Sequence, residues 1–118
     1  MTYTQALPII IERLRGVIIE NRSALEVILK HDGDEALHYV DPPYLHETRG
    51  RNDGYRHEVA DKDHVVLAEV LKRVRGKVIL SGYPSALYDR IYGDWSREEH
   101  VTCADGGRPR VEVLWMNY

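Results

Sequence analysis

With 118 residues, the chain has the length of one ordinary domain, enough to bury a single core and too little for two. Hydrophobic residues make up 43% and charged residues 30%, and no apolar run approaches a bilayer span, so disordered and membrane-spanning classes are excluded. The net charge of -3 excludes a global attraction to nucleic acid, and Cys103 as the single cysteine excludes a disulfide framework or a multi-cysteine zinc module. The start of the chain has no basic, apolar leader pattern, so a reducing cytoplasm is the expected compartment.

Residues 4–14 can form a helix with Leu7, Ile10, Ile11 and Leu14 on one face, and Pro8 is tolerated in its first turn. Gly16 ends it. Val17-Ile18-Ile19 is a β-branched run of the kind found in buried strands, and Asn21 or Ser23 can cap a helix over 24–30. Turn chemistry over 31–35 leads to a second buried strand, 36–40, which stops at Asp41-Pro42-Pro43 because two prolines cannot continue a ladder.

From 45 to 60 the chain is mostly polar, the pattern of a long functional loop. Asp61 or Asp63 caps the strongest helix, whose apolar face draws on Val65, Val66, Leu67, Ala68, Val70, Leu71 and Val74 before Arg75-Gly76 ends it. A third buried strand over 77–81, a second crossover helix over 84–91, and strands over 100–103 and 111–116 complete the chain, with Gly106-Gly107 between the last two. Strands separated by helices imply an α/β fold with a mainly parallel sheet, finished by an antiparallel hairpin. No repeat or linker divides the chain, so residues 1–118 are read as one domain.

Asp41-Pro42-Pro43-Tyr44 carries the chemistry. In an open α/β sheet, ligands bind outside the carboxyl ends of the strands, where these residues emerge. Asp41 accepts hydrogen bonds, the prolines offer carbonyls and no N–H, and Tyr44 adds an aromatic face. That set suits methylation of the exocyclic amino group of adenine, a poor nucleophile because its lone pair is delocalised into the ring. Two acceptors, the Asp41 carboxylate and the Pro42 carbonyl, hold the amino hydrogens and stabilise the charge that develops on nitrogen. The base must leave the duplex, and stacking on Tyr44 offsets part of that cost. The bland alternative, a rigid turn with Asp41 capping backbone N–H groups, is disfavoured by the strand before the motif and the polar loop after it.

On these residues the sequence resembles the Dam-type family of adenine-specific DNA methyltransferases, most closely its phage-like members. The similarity extends over Tyr39-Val40-Asp41-Pro42-Pro43-Tyr44, Gly54-Tyr55-Arg56-His57-Glu58, Asp63-His64, Leu67-Ala68, residues 76–83 and Glu112-Val113-Leu114-Trp115, in the family's order from about Arg13 onward. The resemblance implies a partial Rossmann-like methyltransferase sheet, S-adenosyl-L-methionine as cofactor and double-stranded DNA as substrate, in a bacterium or phage-infected host. It places Glu20-Asn21-Arg22 near the adenine of the cofactor and Asp41 near its methionine moiety.

The family's aromatic-x-Gly-x-Gly cofactor loop is missing from these 118 residues, as is any insert long enough for target recognition. The chain therefore resembles the C-terminal catalytic half alone, as a truncation or as one part of a split enzyme whose second chain supplies the loop. Alone it is expected to have little or no activity. The rival expectation is a non-catalytic remnant acting as a homodimer or partner-binding protein.

Among the remaining residues, Arg49, Arg51 and Arg56 can meet phosphates and Tyr55 or His57 can fill the gap left by a flipped base, against an equally weighted reading as a solvated loop. Lys72, Arg73, Arg75 and Lys77 cluster where a helix C-terminus favours positive charge and are read as structural. His57, Glu58, Asp61, Asp63 and His64 lack a metal-binding spacing, so no metal is expected. Cys103 is read as packing, and Trp95, Trp115, Tyr88 and Tyr92 as core or edge.

Overall fold

The computed structural model describes residues 3–43, 45, 61–103 and 107–118. Helix α1 spans Tyr3–Leu14, α2 Ala24–His31, α3 Asp61–Leu71 and α4 Ala86–Ile91, while the strands are β1 Leu37–Val40, β2 Lys77–Gly82, β3 Ser96–Cys103 and β4 Pro109–Met116. They form one four-stranded sheet in the order β1-β2-β4-β3. β1 and β2 pair in parallel, and β4 is antiparallel to both of its neighbours. Three strands therefore point the same way: the crossover through α4 sets β3 parallel to β2, and β4 returns between them. This is the expected α/β class with its closing antiparallel hairpin.

Alternation along the central strands decides where the core lies. Val78 and Leu80 of β2 and Val113 and Trp115 of β4 point to one face and are fully buried there. Ile28 of α2, Leu67, Ala68 and Leu71 of α3, and Tyr88 of α4 close over them, joined by Leu45 and Tyr92. Trp115 lies at the centre, its ring edge-on to Tyr88 at 5.1 Å between centroids. Gly82 leaves room for this packing, since a Cβ there would sit 3.2 Å from the Tyr88 ring. Burial raises the pKa of both tyrosine phenols. The other face carries Tyr39, Ile79, Leu114 and Met116, and these stay partly or wholly exposed.

A polar latch ties the turn before β1 to the turn before β2. The Asp32 carboxylate accepts from the backbone N–H groups of Arg75 at 2.9 Å and Gly76 at 3.0 Å, and lies 3.1 Å from His38 Nε2. Arg75 also grips Asp34 through two nitrogens, at 2.9 and 2.6 Å. The turns meet so closely that a Cβ on Gly76 would stand 2.7 Å from the Ala36 carbonyl. Bonds from backbone N–H groups, that of Arg75 first, lower the Asp32 pKa to about 2.

Several expectations need correction. Val17-Ile18-Ile19 is not a strand: among the described residues no sheet neighbour stands beside it, and Ile18 and Ile19 are largely solvent-exposed. The strand over 36–40 is shorter, Leu37–Val40, and among the described strands it is an edge rather than buried, with β2 as its one neighbour. Ser23 holds the N-cap position of α2 without a side-chain bond. Helix α3 ends at Leu71, and its buried stripe is His64, Leu67, Ala68 and Leu71, which turns Val65 and Val66 outward. The last two strands are longer than predicted, and Cys103 at the end of β3 is exposed rather than packed.

Candidate active site

Asp41 follows the last paired residue of β1 and emerges at the carboxyl end of the parallel pair, where the motif was expected to lie. The register sets Val40 beside Leu80, so the next row brings Asp41 beside Ser81. Ser81 donates its hydroxyl to Asp41 Oδ1 at 2.8 Å. The second oxygen, Oδ2, has no hydrogen-bond partner among the described residues.

Two grooves meet at Asp41. One, of about 660 Å³, runs between β1 and helices α2 and α3, lined by Glu20, Arg22, Leu25, Ile28, Pro42, Pro43 and Asp63 among others. The other, of about 470 Å³, opens on the uncovered face of the sheet and is bounded by Ser81, Tyr83, Glu98, His100 and Glu112. Tyr83 is held at its rim by Arg110, whose Nη1 donates to the phenol oxygen at 3.2 Å while its guanidinium lies 5.2 Å from the ring centre. The β3–β4 hairpin runs on past Gly82, from Glu99 and Val113 to Cys103 and Pro109, and overhangs this second groove.

The structure thus brings Glu20 and Asp41, 21 positions apart in sequence, onto one groove. Asn21 does not line it, whereas Arg22 does. The Glu20 carboxylate is already engaged, 2.6 Å from His31 Nε2, 3.1 Å from Lys30 Nζ and 3.4 Å from Arg22 Nε. Hydrogen bonds from His31 and then Lys30 lower its pKa. The groove has the volume of a small-molecule site, and Asp41 is among its lining residues. At the Glu20 end, a cofactor hydroxyl would compete with the Arg22, Lys30 and His31 side chains. Tyr44, Arg49, Tyr55 and His57 lie outside the described residues, as do Arg51 and Arg56.

Sequence reading missed Ser81 as a partner of Asp41. It also read Asp63 as a helix cap, though Asp63 borders the larger groove. The signal for Ser81 was present in the paired runs Tyr39-Val40-Asp41 and Ile79-Leu80-Ser81, which end on the same row once the strands are known to be parallel neighbours.

An open α/β sheet with an acidic residue and two prolines at the carboxyl end of its first parallel strand, beside a groove, has the layout in which α/β proteins place ligands at the ends of their strands. The chain belongs to the D12 class N6 adenine-specific DNA methyltransferase family, whose model matches residues 4–103. At the level of the family this means S-adenosylmethionine-dependent transfer of a methyl group to adenine in DNA. Comparison with curated proteins gave no match. Among the described residues no helix is long and apolar enough to cross a membrane.

Proposed function

We propose that Asp41-Pro42-Pro43-Tyr44 is the base-receiving half of a methyltransferase site, acting on the exocyclic amino group of an adenine flipped from double-stranded DNA. The observation that carries this reading is the free Oδ2 of Asp41 at the junction of the two grooves. Asp41 Oδ2 and the Pro42 carbonyl accept the two amino hydrogens and draw the nitrogen lone pair out of conjugation, while Tyr44 stacks on the base. The larger groove is the place for S-adenosylmethionine, with Asp41 at its methionine end and Glu20 with Arg22 at the other. When bound, the cofactor supplies the methyl group, carried on a sulfonium leaving group.

Residues 1–118 act as the C-terminal portion of a catalytic domain, and an aromatic-x-Gly-x-Gly segment outside them completes the pocket, in a split enzyme through a second chain. The outer edge of β1, which has no neighbouring strand among the described residues, is the place for that segment to join. The same free edge and the exposed apolar side of α1 also support a second reading, a non-catalytic dimer or partner-binding protein.

Calorimetry with S-adenosylmethionine separates the two. Binding only in the presence of a chain bearing the glycine loop is the expected result, and Asp41→Ala in that reconstituted enzyme lowers methyl transfer at least about 100-fold. Full turnover of the Asp41→Ala protein would sink the mechanism, and a stable dimer with no cofactor binding under either condition would favour the second reading.

A further inference from the structure

The carboxylate of Asp41 stands where an aspartate would ordinarily be tethered by its own backbone. An aspartate at a turn usually accepts from the N–H two residues on, which fixes its side chain locally. Here that residue is Pro43, and the one before it is Pro42, so neither has an N–H to give. Asp41 is also past the last ladder pair of β1 and exposed, so packing does not choose its rotamer. The prolines that make the motif stiff therefore leave its reactive carboxylate without a local anchor.

Ser81 supplies the anchor from the next strand. Its hydroxyl reaches Asp41 Oδ1 at 2.8 Å, and its other ladder neighbour, Leu114 of β4, offers no polar side-chain atom. A hydroxyl has a single proton to donate, and it is committed to Asp41. We propose that Ser81 is a positioning residue for base recognition: by holding Oδ1 it fixes the Asp41 rotamer and leaves Oδ2 as the acceptor for the adenine amino group. This rests on the reading of Asp41 as the amino acceptor, and adds to it the residue that makes that oxygen available. Ser81 itself does not touch the base.

The test reads rotamer and recognition separately on the purified chain by NMR. Three-bond couplings about χ1 of Asp41 report whether its side chain holds one rotamer. Titration with adenosine, against an analogue whose amino group is dimethylated, reports recognition of the amino hydrogens. In the native protein one rotamer and a preference for adenosine are expected. Ser81→Ala should average the couplings and weaken adenosine binding about fivefold, the equivalent of one hydrogen bond's orientation, without changing binding of the analogue. Ser81→Thr, which keeps the hydroxyl, should restore both and controls for loss of fold.

A single Asp41 rotamer in Ser81→Ala, or an unchanged adenosine preference in that variant, overturns the role given to Ser81 while leaving Asp41 as acceptor. Averaged couplings in the native protein overturn it as well. If the native protein does not distinguish adenosine from its dimethylated analogue, the reading of Asp41 falls, and this proposal falls with it.

Discussion

Helices α1 and α3 both carry apolar residues at helical spacing, yet they end in opposite environments. Leu7, Ile10, Ile11 and Leu14 of α1 are all exposed, while Leu67, Ala68 and Leu71 of α3 are buried against the sheet beside His64. The stripe on α1 is the more apolar of the two, and no described element packs against it. Periodicity states which side of a helix can be buried, whereas burial depends on whether a complementary surface lies within reach. For α3 that surface is the Val78, Leu80, Val113 and Trp115 face of the sheet. For α1, and for Val17-Ile18-Ile19 after it, no described element provides one.

The contrast can be tested through stability. Trp115→Ala removes the central ring of the buried layer and should cost about 3–5 kcal/mol in urea denaturation. Ile11→Ala on α1 should change stability by less than about 0.5 kcal/mol, since alanine is the better helix former and no packing is lost. A large loss from Ile11→Ala would mean that α1 is packed in solution, and would break the comparison.

The Asp32 latch belongs to the well-packed region and gives its stability a pH signature. Its folded pKa is depressed to about 2 from an ordinary 3.8, so the stability it contributes is present above the ordinary value. That contribution is lost as the pH falls through the folded value. An acid titration followed by circular dichroism should show stability declining from about pH 4 downward. Asp32→Asn should flatten that part of the curve, and an unchanged profile would show that the latch does not couple to folding.

A smaller effect than that of Trp115→Ala is expected at two serines that both hold N-cap positions. Ser85 accepts from the Tyr88 N–H at 3.0 Å, whereas Ser23 makes no side-chain cap bond. Ser85→Ala should cost about 1 kcal/mol, and Ser23→Ala only a few tenths. Equal losses would place the α2 start on the same footing as the core helices.

Much of the fold was legible because its signals are local. The stop imposed by Pro42-Pro43, the apolar runs of β2 and β4, and the helix after Asp61 are set by neighbouring residues, and the structure keeps them. The errors fall where the outcome depends on something distant. Residues 17–19 have the composition of a strand and lack a partner among the described residues, and Val65 and Val66 look as apolar as Leu67 but turn away because the sheet meets α3 on another side.

The site divides in the same way. Asp41 could be found from its own tetrapeptide. Ser81 could not, because its role appears only when parallel pairing sets two strand ends side by side. Nor could sequence show that Glu20 is held by Arg22, Lys30 and His31, since ion pairs depend on how α2 folds back toward the preceding segment.

The buried aromatic cluster also determines what light can report about this molecule. Trp115 lies 5.1 Å from Tyr88 and 6.2 Å from Tyr92, and Trp95 lies 4.9 Å from Tyr92, all measured between ring centroids. Both indoles therefore sit within energy-transfer distance of tyrosines on the same side of the sheet. Tryptophan emission will register the melting of that layer as a red shift, while α1 carries no tryptophan to report its own rearrangement.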